Sequence, residues 1–247
     1  MNRAIFLDFD GVLFDTVKEA YAVAMFALDR AKETSEIDYD SDEYGLFKKY
    51  RYLINPAWNY FYLIKTIDMY LKDNSIDIEK KYKKDVLSAQ KIGYEDFENK
   101  YFASREKIKN NNYQYWLSLN EPYPFLSVVP KLIHKSPNSV FIITTKDRPT
   151  VLKLLAINGI DFNPLQIFGR ESYDKYGGKL QIIEDLAAKH NIKEALFVDD
   201  SSEHLSSCKS MKGLTLLQPD WGYVSSKDKV DSLGSILNKV NEFLEVN

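Results

Sequence analysis

The chain has a single cysteine, Cys208, in 247 residues. It can therefore form no intramolecular disulfide and no multi-cysteine zinc site, which fits a reducing cytoplasm. It also lacks an excess of charge of either sign. A formal net charge of -3 gives no basic field for a nucleic-acid backbone or an anionic membrane surface, so neither is expected as a partner. Long apolar runs are absent as well, none approaching the roughly 20 residues of a membrane span. The N-terminal run Ala4 to Leu7 is broken by Asp8 and Asp10, too short and too acidic for a signal-peptide core. A soluble, cytoplasmic protein is expected. Glycine is sparse, with 10 residues, and there is no internal repeat or low-complexity tract. Nothing in the sequence speaks to oligomeric state.

Hydrophobic residues make up 45% of the chain, ample for a core and for one large domain or a core plus a smaller insert. The apolar run Ala4-Ile5-Phe6-Leu7 ends in Asp8-Phe9-Asp10-Gly11-Val12, the pattern of a buried strand running into a turn. From about Asp15 the spacing turns helical, with Val17, Tyr21, Ala24, Met25, Leu28 and Ala31 on one face. An acidic loop, Asp38 to Glu43, comes next. The segment from about Tyr44 to Asn112, rich in aromatics and lysines, shows helical periodicity and almost no strand alternation, and reads as a helical insert.

Glu121-Pro122-Tyr123-Pro124 marks a boundary, because two prolines hold the chain extended. Beyond it strands and helices alternate. Helices are predicted over Val128 to His134, Pro149 to Asn158 with Gly159 just past the end, Lys179 to His190, Glu203 to Met211 and Val230 to Leu244. Strands are predicted over Ser139 to Thr144, Leu165 to Phe168, Ala195 to Val198 and Leu214 to Leu217. The expected fold is α/β: a doubly wound, Rossmann-like parallel sheet built from residues 1–16 and 122–247, with an α-helical cap inserted at 17–121. In such a sheet the ligand crevice lies beyond the carboxyl ends of the strands.

Three predicted strands end in polar residues: Asp8 and Asp10 after the first, Thr144 and Thr145 after the second, Asp199 and Asp200 after the fourth. Carboxylates gathered at one crevice repel one another unless a cation neutralises them, and hard oxygen ligands favour Mg²⁺. An ionised Asp8 could then attack phosphorus, while Asp10 protonates the leaving alcohol and later activates water. Lys179, at the start of a helix after Gly177-Gly178, could offset the charge of the transferring group, with Lys175 as a neighbour. Thr144, or Thr145 in its place, could donate to a phosphate oxygen. Lys146 and Arg148 follow the same strand and could reach substrate or simply lie on the surface. The pairs Asp38/Asp40 and Asp40/Asp42 repeat the Asp-x-Asp pattern in a polar loop and read as solvated surface. Cys208 reads as a buried small residue.

Taken together, Asp8-Phe9-Asp10-Gly11-Val12, Phe141-Ile142-Ile143-Thr144, Lys179 and Leu196-Phe197-Val198-Asp199-Asp200 resemble the four ordered motifs of the haloacid dehalogenase superfamily. The likeness is greatest to the phosphoglycolate-phosphatase-like branch with a helical cap after the first motif. It covers roughly residues 3 to 31 and 122 to 225, including Tyr123-Pro124 and Trp221-Gly222-Tyr223. The resemblance implies a Mg²⁺-dependent hydrolase of a small phosphorylated metabolite, such as a sugar phosphate, nucleotide or polysaccharide precursor. It makes Asp8 the nucleophile, Asp10 the acid/base, and Thr144 and Lys179 the phosphate ligands. Mg²⁺ falls to Asp8, the Asp10 carbonyl and Asp200, with Asp199 in support. Gly11, Thr145, Lys146 and, from the cap, Arg51 and Trp58 are candidate substrate contacts. A phosphosugar mutase of the β-phosphoglucomutase type, and a catalytically idle binding relative, are the alternatives. The chain departs from the family at His204, where a further acid is frequent, leaving Glu203 or Ser201 for that support, and at Leu180, where proline usually follows the lysine.

Overall fold

The computed structural model describes residues 2–89 and 94–245. The chain divides into two compact units, one formed by Met1–Asp15 and Glu121–Asn247, the other by Thr16–Asn120.

The first unit contains the strands β1 (Arg3–Leu7), β2 (Phe14–Asp15), β3 (Glu121–Pro122), β4 (Val140–Ile143), β5 (Ile167–Phe168), β6 (Glu194–Val198) and β7 (Leu214–Leu217). The second contains the helices α1 (Val17–Ala27), α2 (Asp42–Tyr50), α3 (Asn59–Lys72), α4 (Ile78–Ser88), α5 (Tyr94–Asn111) and α6 (Tyr113–Ser118). Helices α7 (Val129–Lys135), α8 (Arg148–Ile157), α9 (Tyr173–Tyr176), α10 (Lys179–His190), α11 (Ser202–Cys208) and α12 (Leu233–Glu245) return to the first unit.

Five strands form a sheet in the order β5-β4-β1-β6-β7, and every pairing in it is parallel. Parallel strands need both faces covered, so their sequences are apolar at successive positions. On one face Ala4, Phe6, Phe141, Ile143, Ala195 and Phe197 pack with Ile182, Ile183 and Leu186 of α10 and with Leu205 and Cys208 of α11. The alternate residues Ile5, Leu7, Ile142, Leu196 and Val198 point the other way and are equally buried. Cys208 thus lies in the core, as its sequence context implies. The expected α/β fold, a Rossmann-like parallel sheet with a helical insert, is the one the chain adopts.

Register sets the site. Leu7 lies opposite both Ile142 of β4 and Val198 of β6, so β1 and β6 end at one level and β4 one residue further on. The residues that follow them, Asp8, Thr144 and Asp199, emerge along the same edge.

In the second unit, aromatic rings replace much of the usual aliphatic packing. Tyr60 stacks on Tyr101 with centroids 5.1 Å apart, and Phe47 stacks on Tyr60 at 5.6 Å. Glu19 of α1, 1% exposed, is satisfied by Trp116 Nε1 at 2.8 Å and Arg105 Nε at 3.2 Å. No helix among the described residues is long and apolar enough to cross a membrane.

Several boundaries differ from the sequence reading for local reasons. The acidic segment 38–43 is not all loop. Ser41 accepts from Tyr44 N and caps α2, so Asp42 and Glu43 form its first turn, where negative charge opposes the helix dipole favourably. Helix α1 stops at Ala27, and Asp29 enters the left-handed region at φ 56°. Pro164–Gln166 is a 3-10 turn, leaving only Ile167–Phe168 as strand. Asp231 exchanges backbone bonds with Gln218 and Asp220, which delays α12 to Leu233. The pair β2–β3, Phe14 opposite Pro122 and Asp15 opposite Glu121, has too few residues on each side to show any period.

Candidate active site

The centre of the sheet edge is a chain of buried charges. Asp8 N donates to Val198 O at 2.9 Å, which fixes the residue beside β6. Its carboxylate accepts from Phe9 N through Oδ1 at 2.7 Å and meets Lys179 Nζ through Oδ2 at 2.7 Å. The same ammonium lies 2.7 Å from Asp199 Oδ2. Asp199 Oδ1 accepts from Ser201 N at 2.9 Å and faces His204 Nδ1 at 3.2 Å. Lys179 comes from the first turn of α10, its side chain 1% exposed, and spans the two aspartates contributed by neighbouring strands.

Burial disfavours charge on each of these groups, and their partners decide the outcome. For Asp8, burial dominates and Asp199 adds to it, so the pull of Lys179 leaves the carboxyl raised to about 6. For Asp199, burial is outweighed by Lys179 and His204, which hold the carboxyl at about 2. Burial also works against the Lys179 ammonium, but Asp199 and Asp8 hold it above the ordinary lysine range. A carboxyl whose folded value is raised binds its proton more tightly when folded. Its contribution to stability is therefore complete below the unfolded value of 3.8 and is lost as pH rises through about 6. Asp199 acts in the opposite direction, at lower pH. Metal-free protein should accordingly lose stability between about pH 4 and pH 6, and Asp8→Asn should remove that slope. Urea unfolding in chelator across this range measures it; an unchanged slope in the variant would contradict the assignment.

Asp10 and Asp200 complete the edge. Asp10 Oδ1 is 3.2 Å from Lys146 Nζ, whose side chain is 1% exposed. Asp200 is clamped by the segment that follows β7. Tyr223 N donates to Asp200 Oδ2 at 2.8 Å, and Gln218 Nε2 donates to Asp200 O at 2.8 Å. Trp221 Nε1 donates to Val12 O at 3.1 Å, tying this segment to the turn after Asp8.

Gly11 has φ +81°, and a Cβ placed there would lie 2.1 Å from Asp200 Oδ2. At Gly222 a Cβ would come within 2.4 Å of Asp200 Cβ and 2.7 Å of Gly11 O. Both glycines let backbone approach the second aspartate of the pair. Gly11→Ala must displace Asp200 and strain the turn, costing about 1–3 kcal/mol of stability and about 100-fold in any turnover that depends on Asp200. Chemical denaturation and kcat/KM check the two parts; unaltered turnover would separate Asp200 from the chemistry.

The other expected site residues are distributed as follows. Thr144 is fully buried, and its Oγ1 accepts from Lys146 N at 3.1 Å, whereas Thr145 is exposed. Arg148 turns away to Ile167 O at 2.9 Å and to Glu171. Lys175 is exposed and bonds Tyr176 at 3.0 Å. In the second unit, Arg51 lies 5.3 Å over the Tyr60 ring and donates to Ile54 O at 3.2 Å, and Trp58 packs edge-on against Tyr62 at 6.0 Å. Of the residues that could stand in for the missing acid, Glu203 is exposed, while Ser201 and His204 both bond Asp199. Sequence reasoning missed the clamping role of Gln218 and Tyr223 and the partner of Lys146. The run Trp221-Gly222-Tyr223 was the one visible signal.

Carboxylate oxygens and an imidazole nitrogen of Asp8, Asp199 and His204 lie within 4.8 Å of one another. A cation placed there would compete with the Lys179 ammonium already 2.7 Å from both aspartates. Hard oxygen donors suited to Mg²⁺ remain in the carboxylates of Asp8 and Asp200. Across the edge, four carboxylates (Asp8, Asp10, Asp199, Asp200) face two ammonium groups (Lys146, Lys179). The carboxylates named outnumber the ammonium groups, and their oxygens are donors that fit Mg²⁺ in chemistry.

No protein-family model and no curated protein sequence matches the chain. Solved structures do. A haloacid dehalogenase-like family hydrolase from Streptococcus pneumoniae superposes with a TM-score of 0.59 at 13% identity over 98% of each chain. A protein from Haemophilus somnus described as a predicted phosphoglycolate phosphatase gives 0.61 at 15% identity, over 97% of this chain and 98% of that one. A predicted phosphatase from Clostridium acetobutylicum gives 0.58 at 14% identity over 98% of each. Identities this low speak to architecture, and together with the parallel sheet and its helical insert they show that the chain has the fold of the haloacid dehalogenase-like hydrolases.

Proposed function

We propose that the protein is a Mg²⁺-dependent phosphatase of the haloacid dehalogenase type, hydrolysing a small phosphomonoester through an aspartyl-phosphate on Asp8. The observation that carries this reading is the Asp8–Lys179–Asp199 chain of contacts, flanked by Asp10 and Asp200 at the same edge of the sheet. Asp8, the Asp10 carbonyl and Asp200 would hold the cation, and Asp199 would act by holding Lys179. When bound, Mg²⁺ supplies charge neutralisation for a phosphate dianion beside an anionic nucleophile.

The chain's own groups do the rest. Lys179 and Phe9 N orient the Asp8 carboxylate, one of whose oxygens attacks phosphorus as the ester P–O bond breaks. Asp10 gives its proton to the departing alkoxide. It then removes a proton from the water that attacks the acyl-phosphate, releasing inorganic phosphate and restoring Asp8. Thr144 would donate a hydrogen bond to the transferring group, and Lys179 would offset its charge. Substrate selection is assigned to the helical unit, with Arg51 and Trp58 as candidate contacts.

The direct test is a panel of phosphorylated metabolites and 4-nitrophenyl phosphate, with and without Mg²⁺. Stoichiometric release of inorganic phosphate that stops in EDTA and returns with Mg²⁺ is expected. Isomerised phosphosugar without phosphate release would point to a mutase instead, and inactivity throughout would contradict enzymatic function.

A further inference from the structure

Two buried lysines stand at the sheet edge, and the structure gives them different partners. Lys179 is committed to Asp8 and Asp199. Lys146 reaches Asp10, Nζ to Oδ1 3.2 Å. The local fold delivers Lys146 firmly. Thr144 Oγ1 accepts from its backbone N–H at 3.1 Å, and its carbonyl accepts from Arg170 N at 3.0 Å. This turn points Thr145 outward and Lys146 inward, and Asp147 at once caps α8 by accepting from Thr150 N at 2.9 Å. Gly169 keeps the pocket close, since a Cβ there would lie 2.8 Å from Lys146 O.

An ammonium at 1% exposure is costly without a counter-charge, and a carboxylate supplies it here. The contact is an ion pair but not an aligned hydrogen bond, for Asp10 Oδ1 is a buried oxygen with no hydrogen-bond partner among the described residues. Charge therefore holds the carboxylate without saturating its lone pairs. Without such a hold, the Asp10 side chain would be free to take other rotamers on its turn, and proton transfer needs one fixed geometry.

We propose that Lys146 is a positioning residue for Asp10, fixing the side chain that protonates the leaving group as the carboxyl and takes a proton from the attacking water as the carboxylate, rather than a ligand of the substrate phosphate. The proposal rests on the phosphatase reading above. Its effect follows the leaving group: a poor alkoxide needs the proton from Asp10, whereas 4-nitrophenolate departs without much help.

The experiment compares kcat/KM, which reports steps up to departure of the alcohol, for an alkyl phosphate and for 4-nitrophenyl phosphate in wild type, Lys146→Met and Lys146→Arg. Lys146→Met should lower kcat/KM about 100-fold for the alkyl ester and less than about 5-fold for the aryl ester. Because the later water attack also uses Asp10, a burst of 4-nitrophenol should appear. Lys146→Arg should recover part of the alkyl activity. Asp10→Asn should add little to Lys146→Met on the alkyl ester, as expected for residues acting as one unit. Equal losses on both esters, or a rise confined to KM, would overturn the proposal in favour of a phosphate ligand. Loss of the folded circular-dichroism signal in Lys146→Met with full alkyl activity in Lys146→Arg and in Lys146→Gln would reduce the residue to a structural one. A wild type inactive on both esters would overturn the phosphatase reading and this inference with it.

Discussion

Asp8→Asn is expected to abolish phosphomonoester turnover, by at least about 10⁴-fold, while leaving the fold intact. An amide oxygen in place of a carboxylate is a poor nucleophile toward phosphorus and a weaker ligand for a hard cation. The structure separates this loss from instability. Burial already pushes the Asp8 carboxyl up to about 6, so ionising it in the metal-free protein costs free energy that an asparagine avoids. Lys179 keeps Asp199 at 2.7 Å, and the side-chain amide oxygen of the variant can still accept from Phe9 N. Stability in chelator at pH 7 should therefore be unchanged or slightly higher, measured by urea unfolding beside the activity assay. Residual activity within about tenfold of wild type would remove Asp8 from the chemistry.

Lys179→Met should do the opposite, damaging stability as well as activity. It removes the ammonium shared by Asp8 and Asp199, whose side chains are 9% and 0% exposed, and leaves two facing carboxylates with no countercharge between them. Removing one partner from a buried ion pair costs about 3–5 kcal/mol, a large part of the roughly 5–15 kcal/mol that holds a typical domain together. The loss should be recovered in part by adding Asp199→Asn, because the second change removes the charge that the first left unpaired. A double-mutant cycle by chemical denaturation measures this coupling; additive losses would mean that the three groups do not act as one network. Turnover should fall with the first change and stay low in the double variant, since the second change does not restore the ammonium beside Asp8.

How much of this was legible in the sequence follows from how local each signal is. Asp8, Lys179 and Asp199 stood out because each ends a buried strand or opens a helix, and a parallel sheet brings such positions to one edge. Lys179 to His190 and Leu214 to Leu217 were readable to the residue, being bounded by glycine and by clear changes of period. The contact of Lys146 with Asp10 was not readable. It depends on which way a side chain points after a turn, and that was decided by the Thr144 hydroxyl. His204 looked like the loss of an acid, yet it bonds the same aspartate that anchors the lysine. The clamp on Asp200 by Gln218 and Tyr223 involves backbone groups and residues about 20 positions away, which no periodicity encodes. In the helical unit, aromatic residues at helical spacing announced a core, and Tyr60, Tyr101 and Phe47 form one. The same pattern gives no means of telling a core ring from one that meets a ligand.

The central claim is that phosphate is transferred to Asp8. Borohydride reduction of enzyme quenched during turnover converts an aspartyl-phosphate to homoserine, and peptide mass spectrometry locates the altered residue. Homoserine at position 8, absent without substrate or Mg²⁺, is the predicted result. Homoserine at position 10, 199 or 200, or none during steady phosphate release, would contradict it.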